Sequence, residues 1–132
     1  MDPMKTHGVI SWFELTTTDV EGAKKFYGEL FGWEFVTDSS AGMEYTMAKL
    51  PEMENPVAGV FDKNNLMVEN KDQIPPHWGQ YVTVTNCDES AGKVKELGGN
   101  VLVPPTDIPG IGRFAVIQDP QGAVISIFQY NV

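Results

Sequence analysis

The stretch SWFELTTTDVEGAKKFYGELFGWEF, residues 11–35, decides the fold. It opens with alternating apolar and polar residues, as a half-buried strand does. Asp19 then offers a helix N-cap. Val20 to Phe31 follows with Ala23, Phe26, Tyr27 and Leu30 at spacings of three and four, the stripe of an amphipathic helix. Gly32 closes it as a C-cap. The stretch WGQYVTVTNCDESAGKVKELGGNVLV, residues 78–103, repeats this pattern. A shift of 67 residues lays Thr16 on Thr83, Asp19 on Asn86, Leu30 on Leu97, Gly32 on Gly99, Val36 on Val103 and Phe61 on Phe128. An internal repeat of this kind sets the architecture.

The same alternation predicts strands over Trp33–Thr37, Met43–Leu50 and Val57–Phe61. It predicts three more over Asn100–Val103, Arg113–Gln118 and Ala123–Gln129. DSSAG, PPTDIPGIG and DPQG read as turns, and the second helix as Asp88–Leu97. The polar run 62–77, with Pro75 and Pro76 near its end, reads as a linker in which Leu66, Met67 and Val68 dock locally. The order is strand, helix, three strands, twice. The expected fold class is α+β, with two βαβββ modules whose curved mixed sheets form a cup. The expected organisation is a single domain over 1–132, made of module 7–61, linker 62–77 and module 78–130.

A chain of 132 residues suits one domain and buries roughly two-thirds of its unfolded surface. With 42% hydrophobic and 11% aromatic residues, disorder is not expected. The net charge of −9 repels phosphates, so neither nucleic acid nor an anionic membrane is an expected partner. One cysteine, Cys87, allows no internal disulfide and fits a reducing, cytoplasmic setting. The N-terminus does not read as a signal peptide, and eighteen consecutive apolar residues occur nowhere.

FELTTTDVEGAKKFYGELFGWEF together with GRFAVIQDPQGAVISIF resembles the vicinal oxygen chelate superfamily, which includes glyoxalase I, bleomycin-resistance proteins and extradiol dioxygenases. The D-x3-A-x2-FY-x3-FGW string and the D-P-x-G turn carry the resemblance, over roughly residues 7 to 130. It implies paired βαβββ modules around a cup, a homodimer and, in the enzymes, a divalent metal held by the first and fourth strands of each module. Carried over by position, the metal-ligand sites are Trp12, Gly59, Gly79 and Ser126. The family's metalloenzymes place His, Glu or Gln there. None of the four residues present is a usual divalent-metal ligand. A slip of one residue brings Phe13, Gln80, Ile125 and Ala58 or Val60, which are no better. The expected cofactor is therefore none, with a divalent metal disfavoured.

Strand parity gives the lining of the cup. Trp12, Glu14 and Thr16 share one face of the first strand, and Phe13 and Leu15 the other. Val57, Gly59 and Phe61, Gly79, Tyr81 and Thr83, and Val124, Ser126 and Phe128 complete the inner set, with the two glycines leaving space opposite Trp12. Phe13, Leu15, Val82, Val84, Ile125 and Ile127 are expected beneath the helices. An aromatic lining with a few polar groups suits a small-molecule site, and equally suits side chains that simply fill the cup. Glu14 is either a general base in an apolar pocket or a carboxylate paired with Arg113 or water. Tyr81 is either a ligand donor or core. Arg113 either holds an anionic ligand or forms a surface ion pair. His7 and His77 read as loop residues near strand starts or, with a register slip of more than one residue, as ligands, and Cys87 as a buried or semi-exposed thiol ahead of a nucleophile.

The functional expectation is a small organic molecule bound in an aromatic cup without a metal, and an acidic protein suits a cationic one. The alternative is a divergent lactoylglutathione-lyase-like enzyme or another isomerase, lyase or oxygenase, including a metal-independent one with Glu14 as base.

Overall fold

The computed structural model describes residues 1–39, 44–66 and 71–131. The chain forms two compact units. One is Trp12–Trp78; the other joins Met1–Ser11 to Gly79–Val132. Each is a βαβββ module.

In the first, β1 (Ile10–Thr17) leads to α1 (Val20–Phe31), then β2 (Glu34–Asp38), β3 (Tyr45–Lys49) and β4 (Ala58–Asp62). The strand order is β2-β3-β4-β1, and β4 runs parallel to β1. The helix lies where its caps predict. The Asp19 side chain accepts the Gly22 N–H at 2.9 Å, and Gly32 adopts φ 75°, open to glycine without strain. Leu15, Ala23 and Val60 form the core under α1, with Val20, Tyr27 and Phe35 against them.

Several apolar residues expected in the core lie outside it. Phe26, Leu30 and Phe13 are exposed. Tyr27 instead gathers the neighbouring rings: Phe26 meets it edge-on at 5.0 Å, Phe31 and Trp33 stack on it, and the Trp78 indole donates to its hydroxyl at 3.1 Å. Phe26 thus packs along its own helix, not on the sheet. The 62–77 run contains two 3₁₀ turns, Lys63–Asn65 and Lys71–Gln73. Met43, Met67, Val68 and most of the DSSAG turn lie outside the described residues.

The second module repeats the first as β5 (His77–Thr83), α2 (Cys87–Val94), β6 (Asn100–Ile108), β7 (Gly112–Gln118) and β8 (Val124–Tyr130). Its order is β5-β8-β7-β6, with β8 parallel to β5. The 67-residue shift holds in space: β1 and β5, α1 and α2, and β3 and β7 begin that far apart. So do the parallel registers, Thr16 opposite Phe61 and Thr83 opposite Phe128. Val84, Cys87, Ala91, Ala115 and Ile127 form the core beneath α2.

The second helix and β6 depart furthest from the expected boundaries. The helix stops at Val94, where the i−4 pattern gives way: the Leu97 N–H is shared between the Lys93 and Val94 carbonyls, and Gly98 bonds the i−3 carbonyl of Lys95. PPTDI, expected as a turn, belongs to β6, an edge strand whose register to β7 shifts twice around Pro104 and Pro105. A proline offers no N–H, and an edge strand with bulges tolerates that. The N-terminal segment joins this unit through four bonds: Gly8 N–H to Thr83 O, Thr83 N–H to Val9 O, Thr83 Oγ1 to Pro3 O, and Thr85 N–H to His7 Nδ1. No helix among the described residues is long and apolar enough to cross a membrane.

Replacing Asp19 by Ala removes the α1 cap and is expected to cost about 1 kcal/mol. A urea melt that leaves the midpoint unmoved would refute this role.

Candidate functional site

Parallel register sets which side chains share a face with Glu14. Glu14 lies opposite Gly59, which lies opposite Met47, and Thr16 lies opposite Phe61. By alternation Trp12 and Tyr45 belong to the same face, turned away from α1. Three of these residues are joined. The Trp12 indole N–H donates to the Tyr45 hydroxyl at 3.0 Å, and that hydroxyl donates to Glu14 Oε2 at 2.5 Å. Trp12, Glu14 and Tyr45 are each half-buried. The chain of bonds has a direction, from indole through phenol to carboxylate, and each member supplies what the next requires.

Gly59 makes the cluster fit. A Cβ there would collide with the Tyr45 hydroxyl and lie 3.0 Å from Trp12 Nε1. The space expected at Gly59 opposite Trp12 is therefore occupied by Tyr45. Thr16 is buried and Phe61 half-buried on the same face.

Sequence reading missed Tyr45, which sits in a short strand beside residues outside the described set. A signal was present: a glycine inside a strand marks a close approach, and the residue approaching Gly59 has to come from the neighbouring strand.

In the second module, Tyr81 lies opposite Ser126 and Thr83 opposite Phe128. Phe128 is buried among Tyr81, Phe114 and Tyr130, with ring centroids at 5.8, 6.5 and 4.4 Å. These rings pack mainly on one another. Thr83 is 2% exposed and donates to the Pro3 carbonyl at 2.7 Å. Gly79 is half-buried, as is Ser126.

Arg113 stands on the other face of β7, beside α2. It bonds Asp88 through Nε and Nη2 at 2.9 and 3.0 Å, and Asp107 through Nη1 at 3.0 Å. The structure thus brings Arg113 to two surface aspartates, not to Tyr81, Ser126 and Phe128, while Glu14 accepts from the Tyr45 hydroxyl. The Arg113 guanidinium holds the Asp88 carboxyl below its ordinary 3.8. Burial, with Asp88 nearby, pushes the Cys87 thiol up, which suits a core residue and not a nucleophile. His77 Nδ1 donates to the Pro75 carbonyl at 2.8 Å, and His7 Nδ1 accepts from Thr85.

The family's metal positions do not fit an ion here. Trp12 Nε1 carries a proton and gives it to Tyr45, and Gly59 and Gly79 have no side chain. Ser126 is a weak ligand alone. Among the described residues no three His, Cys, Asp or Glu side chains gather around a common point.

The model of the glyoxalase/bleomycin resistance protein/dioxygenase superfamily matches residues 9–127. The chain belongs to this superfamily. It is 36% identical to "Putative glyoxylase CFP32" of Mycobacterium tuberculosis over 126 residues, covering 92% of this chain and 44% of that protein. It is 28% identical over 136 residues to the anthracycline biosynthesis protein DauV of a Streptomyces species, covering 95% of this chain and 48% of that one. The chain thus spans less than half the length of these relatives. Among solved structures, methylmalonyl-CoA epimerase of Mycobacterium tuberculosis aligns with TM-score 0.57 at 15% identity, over 92% of this chain and 86% of that one. A variant of the Streptomyces coelicolor epimerase, in complex with 2-nitronate-propionyl-CoA, aligns with TM-score 0.61 at 14% identity, over 96% and 100%. At these identities the likeness is one of fold.

Two predictions follow from this geometry. Gly59→Ala is expected to displace the Tyr45 hydroxyl and cost about 1–3 kcal/mol, with the Trp12 indole N–H resonance shifting in a proton–nitrogen spectrum. An unmoved resonance and an unchanged melt would show that the cluster is not packed as described. Arg113 adds stability through Asp88 above pH 3.8, and the addition is lost as pH falls through the lowered folded-state value. The stability gap between wild type and Arg113→Ala should accordingly narrow in acid, and narrow in salt because both partners reach solvent. A gap that widens in acid would contradict the pairing.

Proposed function

We propose that this chain binds a small organic molecule on the face of the first module turned away from α1, at Trp12, Glu14 and Tyr45, without a metal ion. The observation that carries this reading is the directed chain from indole to phenol to carboxylate beside Gly59. A carboxylate fixed by a phenol among half-buried aromatic groups is the mixture of apolar surface and few oriented polar groups that small-ligand sites use. The arrangement supplies hydrogen-bonding and ring surface where the superfamily's metalloenzymes supply an ion. Two named relatives give directions for probes: an anthracycline, from the Streptomyces biosynthesis proteins, and a glyoxalase substrate, from the mycobacterial protein.

An isomerase reading draws on the same carboxylate. Glu14 would take a proton from carbon next to a carbonyl and return it, with Tyr45 fixing the carboxylate, as a general base within hydrogen-bond reach of substrate does. It differs from pure binding in requiring turnover.

The test is a calorimetric and thermal-shift panel containing an anthracycline, benzylamine, benzyl alcohol, methylmalonyl-CoA, the glutathione thiohemiacetal of methylglyoxal, and Ni²⁺. At least one organic probe should bind saturably at one per chain, and Glu14→Gln or Tyr45→Phe should weaken it about tenfold or more. Deuterium exchange into a bound acyl thioester, abolished in Glu14→Gln, would establish the isomerase. Stabilisation by Ni²⁺ alone, with no organic probe bound, would overturn the proposal.

A further inference from the structure

A groove of about 520 Å³ on the second module takes no part in the reading above. It is lined by His7 of the N-terminal segment, by one flank of α2 with the turns at its ends, and by Ile117 of β7. All of these residues belong to the unit that joins Met1–Ser11 to Gly79–Val132. Asn86, Glu89, Ser90, Lys93, Val94 and Leu97 recur at spacings of three and four, so the groove follows the helix lengthwise.

Its two ends differ. Donors gather toward the start of α2. His7 Nδ1 accepts the Thr85 N–H, so the neutral ring carries its proton on Nε2 and donates there. The Asn86 side-chain oxygen is used by the Glu89 N–H, which leaves the amide NH₂ group to donate. Ser90 is half-buried, and among the described residues its hydroxyl has no hydrogen-bond partner. Lys93 reaches back one turn toward Glu89 but stops 3.8 Å from its carboxylate, too far for a hydrogen bond. Both members of that pair reach water, so the attraction between them is small. Val94, Leu97 and Ile117 make the other end apolar. Leu97 is 75% exposed, more than any other large apolar side chain among the described residues except Met1.

An anionic head finds a counter-charge in Lys93 and donors in His7, Asn86 and Ser90. A cationic head would meet Lys93 beside Glu89. An apolar body laid toward Leu97 removes exposed hydrocarbon from water. The helix rises about 12 Å from Glu89 to Leu97, so a body that fits is extended along it and not compact.

We infer that this groove is a second ligand site and takes an amphiphilic carboxylate, with the carboxylate between His7 and Lys93 and a chain-like apolar body over Val94, Leu97 and Ile117. The site shares no residue with Trp12, Glu14 and Tyr45, and the two readings stand or fall separately.

A proton–nitrogen titration with octanoate tests it, with octanol and octylamine as matched probes. Octanoate should move the backbone resonances from Glu89 to Leu97, and that of Ile117, saturably and at one per chain. Octanol and octylamine should bind at least about fivefold more weakly. Lys93→Met should weaken octanoate about tenfold, and Leu97→Ser about threefold. Glu89→Gln, which removes the competitor for Lys93, should tighten it. Lys93, Glu89 and Leu97 are all exposed, so these variants keep the fold, and a melt confirms it. Octanol or octylamine binding as tightly as octanoate would overturn the inference. So would weaker binding in Glu89→Gln, unchanged binding in Lys93→Met, or no shift at all. A saturable shift of the Trp12 indole with α2 unmoved would overturn this site and support the one on the first module.

Discussion

Everything in each module depends on the parallel pairing of its first and last strands. β1 pairs with β4 and β5 with β8, and neither pair can be closed by a tight turn. The chain must leave β1, cross by α1, and build two antiparallel strands before β4 can lie beside its start. That path puts the helix on one face of the pair and leaves the other face to whatever the sequence places there. Leu15 and Val60, under α1, are neighbours through this register. Glu14 and Gly59 are neighbours one residue earlier, on the opposite face. One backbone constraint thus fixes both the core and the candidate site.

The modules share this frame and fill it differently. The 67-residue shift sets Glu14 against Tyr81, Tyr45 against Gly112 and Gly59 against Ser126. In the first module a large residue at 45 reaches over a glycine at 59. In the second the corresponding position 112 is the glycine, and a Cβ there would meet the Gln129 carbonyl oxygen at 2.2 Å and the Phe128 ring at 2.6 Å. Glycine therefore marks the close approach in both, but on different strands. The first face acquires a polar chain, and the second a packed group of rings. Repetition conserved the hydrogen-bonded skeleton while side-chain volume was redistributed across it.

This division explains what was legible in the sequence. The helix from Val20 to Phe31, its Asp19 and Gly32 caps and the repeat are local patterns, and the structure has them as read. The face shared by Glu14 and Gly59 followed from alternation, because period two leaves little freedom once the strands are placed. Phe26 and Leu30 were less legible. Helical periodicity says which residues share a stripe, but not how far along the stripe the sheet extends, and Tyr27 collected the rings instead. PPTDI looked like a turn because proline breaks strands, yet an edge strand with register shifts accommodates it. Tyr45 was illegible for another reason. Its meeting with Trp12 and Glu14 spans 33 and 31 residues, and no local pattern records a contact at that separation.

Side-chain volume around Gly59 also separates this chain from the superfamily's metalloenzymes. A fourth-strand ligand at 59 would need a Cβ, and that atom would occupy the place of the Tyr45 hydroxyl. Installing a His or Glu there first expels Tyr45, which takes away the acceptor of the Trp12 N–H and one donor to Glu14. Buried or half-buried polar groups left without partners are costly, so such a substitution loses an existing network before it gains a ligand. Nor would one ligand suffice, since Trp12 would have to change as well. The aromatic chain and the metal are thus mutually exclusive uses of the same positions, and the residues at 12, 45 and 59 are adjusted to the first.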